Sequence, residues 1–304
     1  MVNFMLNYKP FVFEDKQLID EIVSKSGVQS SDYPFVNNFL WKDFLLLKRI
    51  DSDEFFSVYS QKKQSYLFPI LNKNNENSST RLLKIINLLK DEACNKNINF
   101  KFYGLTSNMK NKLEEVMPGK FAYTLVSSSS DYIYNIEDLI NLKGKKYHSK
   151  RNFVNNFKLN YFNWEYKKLD KIMLQECLKI DESWLEYKND VNELLNYEAK
   201  MLNLALEYFE ELGLFGGVIL VDDKIVGFSL GYKINDNIMD NVIEKALIEY
   251  KGVYSILLQQ FLSHLEENFK YVNREEDLGL ENLRKAKLSL HPCSILEKYE
   301  AILL

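Results

Sequence analysis

One order of secondary-structure signals is written twice in this sequence, and its period limits the chain to few folds. Three β-branched or aromatic stretches near 44–49, 54–60 and 65–71 predict a strand meander, and the last runs into an Asn-rich loop. From Thr80 the apolar residues Leu82, Leu83, Ile85, Ile86, Leu88 and Leu89 recur at helical spacing, with Ser78 or Ser79 available as N-cap. A strand near 98–103, a helix near 107–116 and a strand near 121–126 follow. The same order returns as strands near 214–221, 224–233 and 238–247 and a helix near 251–268. It closes with a strand near 270–274, a helix near 279–288 and a strand near 295–302. Matched elements lie about 172 residues apart, and a period this long occurring twice specifies tandem domains rather than a solenoid.

Each half opens with helical material, near 14–26 and 32–42 in the first and near 171–187 and 191–211 in the second. An opening strand near 10–13 or 163–168 precedes it. That order is the order of the GNAT-type acyltransferase fold, so the expected class is α/β with mixed central sheets flanked by helices. Ser127-Ser128-Ser129-Ser130 marks a boundary. It gives an N-terminal domain over 1–130, expected to be structural, and over 131–304 a connecting arm plus the expected active domain. The arm places Tyr147, Val154, Phe157 and Tyr161 at helical spacing.

Composition removes several function classes. No window approaches the 18 or so apolar residues of a membrane span, and the N-terminus lacks a signal-peptide pattern, which points to the cytoplasm. Cys94, Cys177 and Cys293 are odd in number and never in a C-x-x-C pair, against a disulfide framework or thiolate metal site. His148, His264 and His291 show no zinc-site spacing, so no metal is expected. Nor is there a G-x-S-x-G, Walker A or G-x-G-x-x-G motif, which weakens hydrolase, nucleotidase and dehydrogenase readings. With 39 Lys plus Arg against 43 Asp plus Glu, a polyanion must be held by a local patch.

Four segments could carry chemistry. GNAT-type domains open their third helix with a Q/R-x-x-G-x-G/A turn whose amides bind the pyrophosphate of acyl-coenzyme A. Here the turn reads Glu249-Tyr250-Lys251-Gly252-Val253-Tyr254; Gly252 is in register, but Glu249 would repel phosphate and Tyr254 would crowd the backbone. Lys143, Lys145, Lys146, Lys150 and Arg151, with Lys158 beyond, gather without an intervening acid. Lysines at a helix N-terminus face the positive end of its dipole, so this cluster suits phosphate or a nucleic-acid backbone, or is simply a solvated face.

The stretch from Tyr271 to Ser289 interleaves carboxylates with Arg and Lys, either as an ion-pair cluster or as a charged-substrate site. Glu244 lies inside a strand on the face of Asp240, Val242 and Ala246. It is a candidate general base for an amine nucleophile, or one half of a buried ion pair with Lys245.

The segments Lys143–Asn152, Ile243-Glu244-Lys245-Ala246, Asn273–Gly279 and Leu283–Ser289 resemble the soluble C-terminal domain of the phosphatidylglycerol lysyltransferases and its free-standing relatives. The resemblance implies a tandem GNAT-like fold and transfer of an aminoacyl group from aminoacyl-tRNA to a lipid head group. The Fem-type peptidyltransferases are similar in fold and donor. The lysyltransferases carry a multi-span membrane portion ahead of this domain that this sequence does not show, so the expectation shifts from a lipid head group, the acceptor in relatives, to a peptide, a small amine or another acceptor.

In this reading Glu244 or Glu275 is the base and Arg274 orients a carboxylate or phosphate. Lys143, Lys145, Lys146, Lys150 and Arg151, with Gly252 and Tyr254, lie on the donor side, and Asn273, Asp277, Arg284 and Lys287 on the substrate side. No permanently bound cofactor is expected. The alternatives are a coenzyme A-dependent N-acetyltransferase using acetyl-CoA at Gly252, and a catalytically inactive binding or regulatory module.

Overall fold

The computed structural model describes residues 6–72, 78–188 and 193–304. The chain forms two compact units, and neither is continuous in sequence. The first runs to Asp131 and adds Glu276–Glu281 and Ile295–Leu304; the second comprises Tyr132–Glu275 and Asn282–Ser294. A single boundary between 130 and 131 therefore does not describe the division.

The first unit runs β1 (Tyr8–Lys9), α1 (Lys16–Ser26), α2 (Phe35–Leu45), β2 (Leu47–Asp51), β3 (Phe55–Ser60), β4 (Ser65–Leu67), β5 (Ile70–Leu71), α3 (Ser78–Asn95), β6 (Lys101–Thr106), α4 (Ser107–Val116) and β7 (Phe121–Leu125). All six residues of β3 are buried, as a central strand between β2 and β4 requires. In α3 the buried face is Leu82, Ile85, Ile86, Leu89 and Ala93, the stripe its apolar spacing predicts. The Thr106 hydroxyl accepts from the Met109 amide and caps α4. The expected opening strand near 10–13 is displaced: β1 is two residues long and Phe13–Asp15 form a 3₁₀ turn.

The second unit runs β8 (Asp131–Asn135), α5 (Ile136–Asn141), α6 (His148–Asn160), β9 (Trp164–Lys168), α7 (Leu174–Lys188), α8 (Glu193–Glu207), β10 (Phe215–Val221), β11 (Lys224–Asn235), β12 (Ile238–Ala246), α9 (Val253–Ser263), β13 (Tyr271–Asn273), α10 (Glu281–Leu288, entered from the first unit) and β14 (Ser294–Leu296). Phe157 of α6 and Ile256 and Leu257 of α9 are fully buried in its core, so the arm is an integral part of this unit.

From β2 and β10 onward the second run repeats the first about 170 residues on, and the sheets share one strand order. The first sheet is β1-β2-β3-β4-β6-β15-β7, with β15 spanning Lys298–Leu303, and the second is β9-β10-β11-β12-β13-β8-β14. Each holds a parallel pair beside antiparallel ones, β4 with β6 and β12 with β13. The strand completing each sheet comes from the other half of the sequence: β15 lies between β6 and β7, and β8 between β13 and β14. The single strand expected near 295–302 is thus two short ones, β14 in the second sheet and β15 in the first.

Candidate active site in the second unit

Parallel pairing of β12 with β13 covers only Ile238–Asp240 against Tyr271–Asn273, and β12 then continues alone on that side to Ala246. Arg274, the next residue after β13, bridges this opening. Its Nη2 donates to Glu244 Oε1 at 2.8 Å and its Nε to Asn241 Oδ1 at 3.3 Å. A register shift between Leu230 and Tyr232 on β11 falls opposite Asn241, where a bulge re-aims side chains. Asn241 is in turn fixed by donating from Nδ2 to Ser229 Oγ at 2.7 Å and to the Leu230 carbonyl at 3.1 Å.

The position of Arg274 is set from behind. Its backbone amide donates to the Tyr132 carbonyl on β8 at 3.0 Å. The buried Lys287 ammonium on α10 donates to the Arg274 carbonyl and, at 3.3 Å, to that of Glu275. Glu275 stands at φ +54°, the left-handed region that a side chain disfavours, and the Asn273 carboxamide accepts from its amide at 2.7 Å. Lys287 and Asn273, expected on the substrate side, therefore brace the backbone that presents Arg274.

Burial pushes the Glu244 carboxyl above the usual carboxylate range, against the opposing pull of Arg274, Lys287 and Lys150. Lys150, half-buried on α6, is held below the ordinary lysine value by burial and by Arg274, with Glu244 pulling back. One carboxylate thus stands among three cations. Glu244 Oε2 is buried and has no hydrogen-bond partner, so one oxygen is tied to Arg274 and the other is open to a proton.

The remaining sequence candidates spread out. Lys143 and Lys145 are exposed; Lys146 is exposed and 3.3 Å from Asp138 on α5. Arg151 Nη1 donates to the carbonyls of Leu142 and Gly144 beyond the end of α5, so this guanidinium caps a helix terminus. Arg284 is half-buried on α10. Asp277 lies in the first unit, buried, with its Oδ1 accepting from the Gly279 amide at 2.8 Å.

The turn before α9 is already furnished by the chain. A Cβ at Gly252, at φ +92°, would meet the Phe153 carbonyl oxygen of α6 at 2.5 Å, so glycine is required here for helix contact. Within the turn the Lys251 amide donates to the Tyr161 hydroxyl at 3.2 Å and the Val253 amide to the Tyr250 carbonyl. The Tyr254 hydroxyl donates to the Ala246 carbonyl at 3.4 Å. Asn241, Ser229 and the bracing role of Lys287 were not singled out from the sequence, where they read as ordinary strand and helix polars.

Two repeats of one mixed-sheet unit, with a carboxylate and guanidinium at a parting of parallel strands, define a tandem GNAT-fold protein. The family described as phosphatidylglycerol lysyltransferase, C-terminal, matches residues 25–302, and this chain belongs to it. A crystal structure of a conserved protein of unknown function from Bacteroides thetaiotaomicron is 35% identical, with TM-score 0.92 and coverage of 99% of this chain and 100% of that one. The C-terminal domain of a putative lysylphosphatidylglycerol synthetase from Agrobacterium fabrum shares the fold at 14% identity, TM-score 0.66, over 95% of this chain and 91% of that one. FemX does so at 9% identity and TM-score 0.66, over 98% of each. An uncharacterized protein of Mycoplasmoides gallisepticum is 27% identical over 177 residues, 57% of this chain and 56% of that relative's length. No helix among the described residues is long and apolar enough to cross a membrane.

Proposed function

We propose that this chain transfers an aminoacyl group from aminoacyl-tRNA to an amine or hydroxyl acceptor, with the second unit as the catalytic one. Glu244 carries the reading: a buried carboxylate, raised toward neutrality, with one oxygen held by Arg274 and the other without a partner. Such a group takes the proton of an attacking amine or hydroxyl. The nucleophile bonds to the acyl carbon, the ester bond to the ribose oxygen breaks, and the proton passes from Glu244 to that oxygen. Arg274 and Lys150 supply positive charge for the developing oxyanion or for a substrate phosphate. Lys143 and Lys145 are exposed for contact with the donor's backbone.

Family membership and fold favour an aminoacyl donor, and the occupied amides and α6 contact at Gly252 argue against coenzyme A. The acceptor class includes lipid head groups and small amines.

The test measures transfer of a labelled aminoacyl group from charged tRNA to vesicle phosphatidylglycerol and to a panel of small amines, with labelled acetyl-CoA in parallel. Transfer from charged tRNA alone is expected, and Glu244→Gln should lower its rate by about 10²–10⁴-fold in a variant that still unfolds cooperatively. Acetyl transfer, or transfer indifferent to Glu244→Gln, would overturn the reading. Binding of charged tRNA without turnover would identify a regulatory module.

A further inference from the structure

The two units can be compared at the residue following the last parallel pair of each sheet. In the second unit that pair is Asp240 with Asn273, and the next residue is Arg274. In the first it is Leu67 with Tyr103, and the next residue is Gly104. Where one unit fills the position with a guanidinium, the other has no side chain at all, and a small solvent-open pocket lies there.

The pocket is built for positive charge. Lys298 is 2% exposed, with its ammonium 2.7 Å from both Asp131 and Asp32. Glu276, a third carboxylate, lines the same pocket; burial holds it above the usual range and Asp131 and Asp32 add to this, against the pull of Lys298. Two carboxylates thus pair with one buried ammonium, and a third stands within its field. Gly104 stands at φ +65°, and a Cβ there would come within 3.0 Å of Asp32 Oδ2, so the glycine clears the carboxylate's approach. At the rim the exposed Lys63 places its own ammonium 4.4 Å from the centre of the Tyr103 ring and pulls on Asp32. The chain itself therefore sets an ammonium on an aromatic face at the rim of this pocket, from an exposed side chain. Among the described residues no set of His, Cys, Asp or Glu is arranged to hold a metal ion.

We propose that the first unit carries a second small-molecule site, which takes the primary ammonium of a small amine between Asp32, Glu276 and Tyr103 in place of Lys63. The site is independent of the transfer chemistry assigned to the second unit. Cadaverine is the probe, with 1-pentanol as neutral analogue and sodium chloride at matched ionic strength. Titration calorimetry of the full chain should show saturable binding of cadaverine alone.

Lys63→Met, at an exposed position, should tighten binding several-fold by removing the internal competitor. Glu276→Gln should weaken it by about tenfold or more, and Gly104→Ala should obstruct it. Binding that persists unchanged in Glu276→Gln, equal binding of pentanol, or no tightening in Lys63→Met would overturn the assignment. Should Glu276→Gln or Gly104→Ala fail to fold, the Lys63→Met comparison decides alone.

Discussion

Replacing Lys298 by Met keeps the length of the side chain and removes its charge from between two carboxylates. At 2.7 Å and an effective dielectric near 20, each attraction is worth about 6 kcal/mol, offset by several kcal/mol for desolvating each ion. The variant leaves Asp131, 0% exposed, without its buried cation, and unpairing of this kind costs about 3–5 kcal/mol. In urea titration the transition of the first unit should move down by about 2 M.

The loss should also have a defined pH profile. Burial lowers Lys298, but Asp131, Asp32 and Glu276 outweigh it and hold the ammonium well above its ordinary value. Its contribution is therefore complete below the unfolded value and fades only as pH rises through the folded one. Burial raises Asp32, but Lys298 and Lys63 outweigh it and hold the carboxyl below its ordinary value. That contribution is complete above the unfolded value and is lost as pH falls through the folded one. The gap between wild type and Lys298→Met should therefore close in acid and widen as pH rises, as the carboxylates left without their cation ionise. Adding Asp131→Asn should recover part of the loss, because it removes the stranded charge. A loss under about 1 kcal/mol at neutral pH, or one that does not shrink in acid, would refute this account of the cluster.

Three further outcomes are expected. Glu276→Gln should raise stability at neutral pH and lose that advantage in acid, since a raised carboxyl weakens the fold as pH climbs from its unfolded to its folded value; chemical denaturation at two pH values checks it. Gly252→Ala should cost about 1–3 kcal/mol in thermal unfolding, because α6 must withdraw and a left-handed residue is strained; a neutral result would mean α6 does not rest on this turn. Reversing Lys143 and Lys145 to Glu should flatten the salt dependence of tRNA binding by about 0.7–0.9 per lost contact, whereas Arg151→Glu should chiefly lower the melting temperature by uncapping α5.

The repeated order of elements was legible because each has its own local pattern: the stripe of α3 and the near-continuous buried runs of β10 to β12 need no knowledge of their partners. Which sheet a strand joins is not local information. Asp131–Asn135 and Lys298–Leu303 carry apolar residues that suit either sheet, so the exchange was invisible. At the candidate site Glu244 and Arg274 stood out as charges in or beside strands, and the structure brings them together. Asn241, and the cluster of Asp32, Asp131 and Lys298, did not, because a buried lysine 167 positions from its carboxylate has the same spelling as a surface one. Arg151 was misleading for the converse reason: a cation among cations, it serves two carbonyls at the end of the preceding helix, α5.

The reciprocal placement of β8 and β15 also has a timetable. When Asp131 leaves the ribosome, every other strand of the first sheet has been made, yet the place between β6 and β7 stays open. At about 5–20 residues per second, the roughly 170 residues still to come before β15 take about 10–35 s. Through that interval β6 and β7 present facing backbone edges with nothing to pair them, a template for the wrong strand. The second sheet receives its exchanged strand early and is completed by β14, just before β15 appears. Synthesis thus begins with the first unit and finishes it last, so slowing translation between β8 and β15 should lower the soluble yield of a protein whose final stability is unchanged.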